Sequence, residues 1–172
     1  MKLKHIDKTI YRKRMNILLA ITVTVLLVTS LGVSQLLITR FGSGVDGDHF
    51  WLNLVGVVAG ICAISLVYRI LLAKPFMAEV QYVKELKREM NRIYRSSKLL
   101  QQRVAENNKD ALIISYFNLQ ASKQVYELDN NTLTMDELNE KIRLLDEQLS
   151  QLDLKVTTDD YSPQLLASLK QA

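Results

Sequence analysis

Two long stretches without charge constrain this chain more than anything else in it. Ile17 to Ile38 reads ILLAITVTVLLVTSLGVSQLLI, 22 residues with no ionisable side chain. As an α-helix rising about 1.5 Å per residue it would extend about 33 Å, enough to cross a hydrocarbon core of about 30 Å. Trp51 to Leu72, WLNLVGVVAGICAISLVYRILL, is a second run of the same kind. Its one charge, Arg69, lies a turn from the end, where a long side chain can snorkel to the headgroups. Two such runs in close succession predict transmembrane helices over residues 17–38 and 51–72. A cleaved signal peptide is the competing reading of the first run, but its apolar core is too long. Thr39-Arg40-Phe41 also offers no small-residue cleavage pattern.

Orientation follows from the basic residues that flank the spans. Lys2, Lys4, Lys8, Arg12, Lys13 and Arg14 lie in residues 1–16, and Lys74, Lys84, Lys87 and Arg88 follow the second span. The connecting loop, residues 39–50, has only Arg40, with Asp46 and Asp48. The positive-inside rule therefore expects both termini in the cytoplasm and a short external loop rich in Gly, too small to fold alone. Phe50 and Trp51 fall where an interfacial aromatic belt is expected.

The charge balance divides the chain again. Through Val104 there are 16 basic and 6 acidic residues; from Ala105 onward there are 6 basic and 12 acidic. A basic, apolar-rich first part thus precedes an acidic one. Six Gly and two Pro in 172 residues argue against an all-β fold or long disordered linkers.

Within the second span Gly56 and Gly60 form GxxxG, with Ala59 and Ala63 on an adjoining stripe. Small residues four apart let helix backbones approach closely where no hydrophobic effect favours association. The face would pack on the first span or on another protomer, unless the spacing is chance. Asn53 is polar but near the outer end, where hydration accounts for it. Cys62, the lone cysteine, offers neither a disulfide nor zinc spacing, and reads as a small buried hydrophobe.

Residues 73–172 are expected to form a cytoplasmic helical domain. Lys74-Pro75 punctuates the exit from the second span. Phe76, Val80, Val83, Leu86, Met90, Ile93, Leu100 and Val104 then give a heptad-like seam with Ser97 as its weak position, predicting one helix of about 45 Å. Lys84, Lys87, Arg88, Arg92, Arg95, Lys98 and Arg103 occupy its other face. Asn107-Asn108 interrupts, and Lys109 to Leu128 is apolar nearly all round, as a helix in the middle of a bundle would be. Its Asp110, Asn118, Gln120, Lys123 and Gln124 make membrane insertion costly. Asp129-Asn130-Asn131 ends it. Thr134-Met135-Asp136-Glu137 predicts a capping box, with Thr134 accepting from the helix start and Glu137 reaching back. Met135, Leu138, Ile142, Leu145, Leu149 and Leu152 follow at three-four spacing. Short connections favour antiparallel neighbours. The expected fold is all-α: two transmembrane helices followed by a cytoplasmic, antiparallel, coiled-coil-like three-helix bundle. Ser162-Pro163 can start one last short helix through Leu169.

Chemistry is harder to find. His5 and His49 fall on opposite sides of the expected membrane, and no phosphate-loop, HExxH, paired-cysteine or nucleophile-elbow motif occurs. The carboxylates Asp136, Glu137, Glu140, Asp146 and Glu147 read as a solvated helix face. No catalytic, cofactor-binding or metal-binding residues are assigned, no cofactor is expected, and the chain does not read as an enzyme. The basic stripe Lys84, Lys87, Arg88, Arg92 and Arg95 could meet anionic lipid if its helix lies along the bilayer. It could instead face the acidic helix holding Glu137, Glu140 and Glu147. Nucleic acid is not an expected partner, because no base-stacking module accompanies the charge.

Several stretches carry a resemblance: KLKHIDKTIYRKRMN (Lys2–Asn16), KPFMAEVQYVKELKREMNRIYR (Lys74–Arg95), DALIISYFNLQASKQVYELDNNTLTMDELN (Asp110–Asn139) and DDYSPQLLA (Asp159–Ala167). Together they resemble a gammaproteobacterial membrane family catalogued only as a domain of unknown function. The resemblance covers essentially the whole chain and implies a Gram-negative inner membrane. It brings no catalytic residues. The expected function is a membrane-anchored interaction or scaffold protein whose partners are the bilayer and either another protein or a second copy. The alternative is an accessory subunit of a transporter or signalling complex, acting through its transmembrane helices.

Overall fold

The computed structural model describes residues 2–42 and 49–169. Its regular structure among these residues is entirely helical. The helices are α1 (Lys8–Phe41), α2 (Phe50–Leu72), α3 (Ala78–Tyr94), α4 (Ser97–Ala105), α5 (Lys109–Asp129), α6 (Met135–Gln151) and α7 (Pro163–Leu169), with 3-10 turns at Pro75–Met77 and Thr158–Asp160. Asp46, Asp48 and most of the expected external loop lie outside the described residues. The chain separates into two compact units: residues 10–81, and a tail unit of residues 1–9 with 82–172.

In residues 10–81, α1 and α2 are each long and apolar enough to cross a membrane. α2 starts one residue before the predicted span. α1 begins well before its span, because KTIYRKRMN contains neither Gly nor Pro to stop a helix. The large apolar side chains point outward: Leu19, Val23, Leu27 and Leu31 on α1, and Val55, Val58, Ile61 and Leu66 on α2, are all exposed. That is the reverse of a water-soluble core. Cys62 is exposed too, which corrects the expectation that it is buried. Pro75 opens the 3-10 turn that follows α2, as a residue lacking a backbone donor can. Beside it, Arg14 pairs with Glu79, and its guanidinium lies 5.3 Å from the Phe76 ring centre.

The tail unit is organised around α5, which packs against α4, α6 and α7. Ala111, Leu112, Ile113, Ile114, Phe117, Ala121, Val125 and Leu128 are all buried, covering most of its circumference as the all-round apolar pattern predicts. Each large side chain among them contributes roughly 1.5–3 kcal/mol by leaving water. Leu112 clusters with Leu145 and Leu149 of α6, and Val104, Tyr116, Leu152 and Val156 pack around them. The Asn108 side chain caps α5 by accepting from the Ala111 N–H at 3.1 Å. Asn130 closes its other end at φ 56°, ψ 33°, a left-handed conformation that asparagine tolerates. α7 begins at Pro163, as Ser162-Pro163 predicts.

Three expectations fail locally. The single helix from Phe76 through Val104 is broken at Arg95–Ser96, where Ser96 donates to the Ile93 carbonyl at 2.9 Å, one residue short of an α-helical bond. Two consecutive serines, whose hydroxyls compete with the backbone, stand at the break. The buried stripe consequently runs through Leu86, Glu89, Ile93, Ser96 and Leu100, with Met90 and Ser97 only half-buried. The Thr134 capping box does not form. Glu137 pairs instead with Lys141 at 2.6 Å, one turn along α6. A box does form at Thr157–Asp160, where the Asp160 carboxylate accepts from the Thr157 N–H at 2.7 Å.

Candidate functional site

Of the four small residues singled out in α2, Gly56 and Gly60 are buried, while Ala59 and Ala63 are half-buried. The two glycines face α1. A Cβ built on Gly56 would fall 2.0 Å from Ser34 Oγ and 2.6 Å from the Ser30 carbonyl oxygen. At Gly60 the nearest atom would be a Leu26 methyl at 3.1 Å. Ser34 Oγ donates weakly to the Asn53 carbonyl at 3.4 Å. The contacts pair Ser34 with Asn53, Ser30 with Gly56 and Leu26 with Gly60, so they descend α1 while ascending α2. The glycine face is therefore a packing surface within the chain. Gly56 is its strict position, because backbone meets it; Gly60 meets a flexible side-chain end.

The five basic residues singled out as lipid contacts do not act as one group. Lys87 forms an ion pair with Asp129 at 2.7 Å, and Arg92 with Glu89 at 3.0 Å. Lys84, Arg88 and Arg95 are exposed. The partners of Lys87 and Arg92 are not the acidic residues of α6, which pair within their own helix: Glu137 with Lys141, and both Glu140 and Glu147 with Arg143. For Lys87 and Arg92 the α6 alternative is corrected accordingly. Hydrogen bonding from Lys141 and Arg143 holds the Glu137 and Glu140 carboxyls below the usual range.

Two polar clusters in the tail unit escape local sequence reasoning. In the first, the buried Glu89, 8% exposed, accepts from the Tyr161 hydroxyl at 2.6 Å and from Arg92 at 3.0 and 3.3 Å. The Tyr161 ring stacks on Phe117 with centres 4.1 Å apart. Burial, reinforced by the Glu89 carboxylate, pushes the Tyr161 hydroxyl above its ordinary pKa. A carboxylate on a buried stripe is the one signal that could have pointed to this cluster. Its partners, 72 residues away for Tyr161, leave no local pattern.

The second cluster takes in the residues ahead of α1. Lys4 N–H donates to the Tyr82 hydroxyl at 2.8 Å, that hydroxyl donates to Gln124 Oε1 at 3.2 Å, and Gln124 Nε2 donates to the Lys4 carbonyl at 2.5 Å. The Lys4 ammonium sits 5.8 Å from the Tyr82 ring centre, and Lys2 pairs with Asp159 at 2.9 Å. Burial raises the pKa of the Tyr82 hydroxyl, and the Lys4 N–H partly offsets that. No group of three or more His, Cys, Asp or Glu side chains is gathered for a metal among the described residues.

The model of one family, described as a protein of unknown function (DUF3087), matches residues 1–166. No curated protein and no solved structure matches the chain.

Proposed function

The chain belongs to the DUF3087 family, and we propose that it is a membrane-anchored interaction protein: a two-span hairpin holding a helical tail on the cytoplasmic face of a Gram-negative inner membrane. The observation that carries this reading is the bonding of residues 2–4 to Tyr82, Gln124 and Asp159, all of which follow α2 in the chain. Two apolar helices, α1 and α2, separate these partners in the chain. Segments joined by direct hydrogen bonds share one compartment, so the number of crossings between them is even. The basic residues at both ends of the hairpin then favour the cytoplasm.

On this reading the tail's three successive helical segments, α3–α4, α5 and α6, form an antiparallel bundle. Its apolar residues are spent on its own core, and its outer surface meets a partner. Arg88 and Arg95 are the basic residues left to face anionic headgroups. The GxxxG face that suggested the accessory-subunit reading packs against α1, so the helical tail is the surface the interaction-protein reading favours for a partner.

Affinity purification from native membranes tests the proposal, comparing the intact chain with one ending at Leu72. Partners should be retained with the intact chain and lost with the shortened one; equal recovery from both overturns it. A periplasm-active reporter at Gly44 and a cytoplasm-active reporter after Ala172 should both work, and the reverse pair of results overturns the orientation.

A further inference from the structure

We infer that Tyr82 and Gln124 form a binding site for a non-helical, basic peptide segment, and that the chain's own residues 2–7 occupy it as an intramolecular strap. The strap lies ahead of α1 and carries no helical hydrogen-bond ladder. Lys4 must therefore find partners for its main-chain groups elsewhere, and it finds both on the tail unit. Its N–H reaches Tyr82, its carbonyl reaches Gln124, and the Tyr82–Gln124 hydrogen bond closes the ring. A β-strand edge recognises a neighbour in the same way, by exchanging both main-chain bonds with one residue. Here a phenol and an amide supply the donor and acceptor, so the reading of Lys4's backbone is independent of its side chain.

Side-chain preference comes from the flanks. An acidic or aromatic group waits for each of the two basic residues: Asp159 for Lys2 and the Tyr82 ring for Lys4. Leu3 and Ile6 are half-buried between and beyond them. The recognised pattern is a non-helical backbone with basic side chains two residues apart. Nothing in this geometry depends on whether the tail recruits a partner or meets lipid.

Amide hydrogen exchange on the full chain in detergent micelles gives the first test. The Lys4 amide should exchange at least tenfold more slowly than an unstructured segment, and Tyr82→Phe should abolish that protection while leaving α5 protected. The second test removes the strap by starting the chain at Lys8, which keeps Lys8, Arg12, Lys13 and Arg14 ahead of the first apolar run. A fluorescent peptide of residues 2–7 should bind the shortened chain saturably and the full chain at least tenfold more weakly. Gln124→Ala in the shortened chain, or Lys2→Glu with Lys4→Glu in the peptide, should remove most of the binding. Unprotected exchange at Lys4 in the full chain overturns the inference. So does a shortened chain of native helicity that ignores the peptide. Should the shortened chain not fold, the exchange result alone decides.

Discussion

Residues 10–81 make their closest helix contact with the smallest side chains available, whereas the tail unit makes its own with some of the largest. Gly56 lets the Ser30 carbonyl come within 2.6 Å of where a Cβ would stand, while Leu, Val and Ile residues of the same two helices face outward. In the tail unit Phe117, Leu112 and Ile114 are fully buried, and the outer surface is charged. On the proposed placement of α1 and α2 in a bilayer, an apolar surrounding gives no reason to hide apolar groups, so helices there associate by backbone proximity. Water gives that reason, and bulk then stabilises. The same chemical change, adding or deleting a few carbons, should therefore have opposite consequences in the two units.

The largest expected effect tests the bulk side of this contrast. Phe117→Ala removes a fully buried ring and its stack on Tyr161, and should cost about 3–5 kcal/mol. Thermal unfolding followed by circular dichroism should show an early loss of tail helix, with the α1–α2 signal persisting. Loss of both together would join what the contrast separates. Ile142, half-buried in α6, is a weaker probe of the same core than Leu145 or Leu149.

Next comes the glycine side. Gly56→Ala should force α1 and α2 apart at a cost of about 1–3 kcal/mol, because Ser30's carbonyl cannot yield as a side chain can. Gly60→Ala should be close to neutral, since a Leu26 methyl can rotate away. Disulfide trapping between Ser34→Cys and Asn53→Cys, with Cys62→Ser, reads the separation. Equal yields for the two glycine variants would refute the ranking.

The third prediction concerns pH and the polar part of the tail. The raised pKa of Tyr161 means its contribution is fully present below the unfolded phenol's value of about 10, and is lost as pH rises through the folded value. Stability of the tail should decline above about pH 10. Tyr161→Phe should flatten that decline and cost about 1–2 kcal/mol at neutral pH, because Glu89 then keeps only Arg92. At the acid end the sign reverses. Asp160, held low chiefly by the Thr157 N–H, stabilises above the usual carboxylate range and loses its contribution as pH falls through its folded value. Asp160→Asn should therefore blunt acid unfolding.

The smallest effect expected is at the exposed basic residues. Arg88→Ser and Arg95→Ser should each weaken association of the reconstituted chain's tail with anionic headgroups by at most about 1 kcal/mol, and only at low salt. Lys87→Ser, which breaks an exposed ion pair with Asp129, should change tail stability by roughly 0–1 kcal/mol. A larger response at Arg88 than at Phe117 would invert the ordering on which the comparison rests.

What was legible in the sequence was whatever local pattern decides. Uninterrupted apolar runs announced α1 and α2, three-four spacing announced α6, and asparagines at 107–108 and 130–131 announced the ends of α5. Pro163 marked the start of α7. The misses share a different cause. At Thr134 the local rule for a capping box was satisfied, but Glu137 found Lys141, a competitor one turn away. At Ser96 and Ser97 the heptad count tolerated a weak position that the backbone did not. Glu89 and Gln124 looked like ordinary polar residues because their partners, Tyr161 and Lys4, stand 72 and 120 residues away. Hydrophobic periodicity reports how a helix meets its surroundings. It says nothing of which distant polar groups will satisfy one another.

The Lys4–Gln124 closure also sets an order of events in time. The strap leaves the ribosome before its clasp exists, and Gln124 follows 120 residues later. At about 5–20 residues per second that interval lasts roughly 6–24 s, and α1 and α2 are synthesised within it. While α1 and α2 are being synthesised, neither Tyr82 nor Asp159 yet exists for Lys4 and Lys2 to meet. The clasp closes last. Seating of the strap thus reports that everything between it and Gln124 is already in place, and a chain stalled or cut in that interval would carry its N-terminal segment loose.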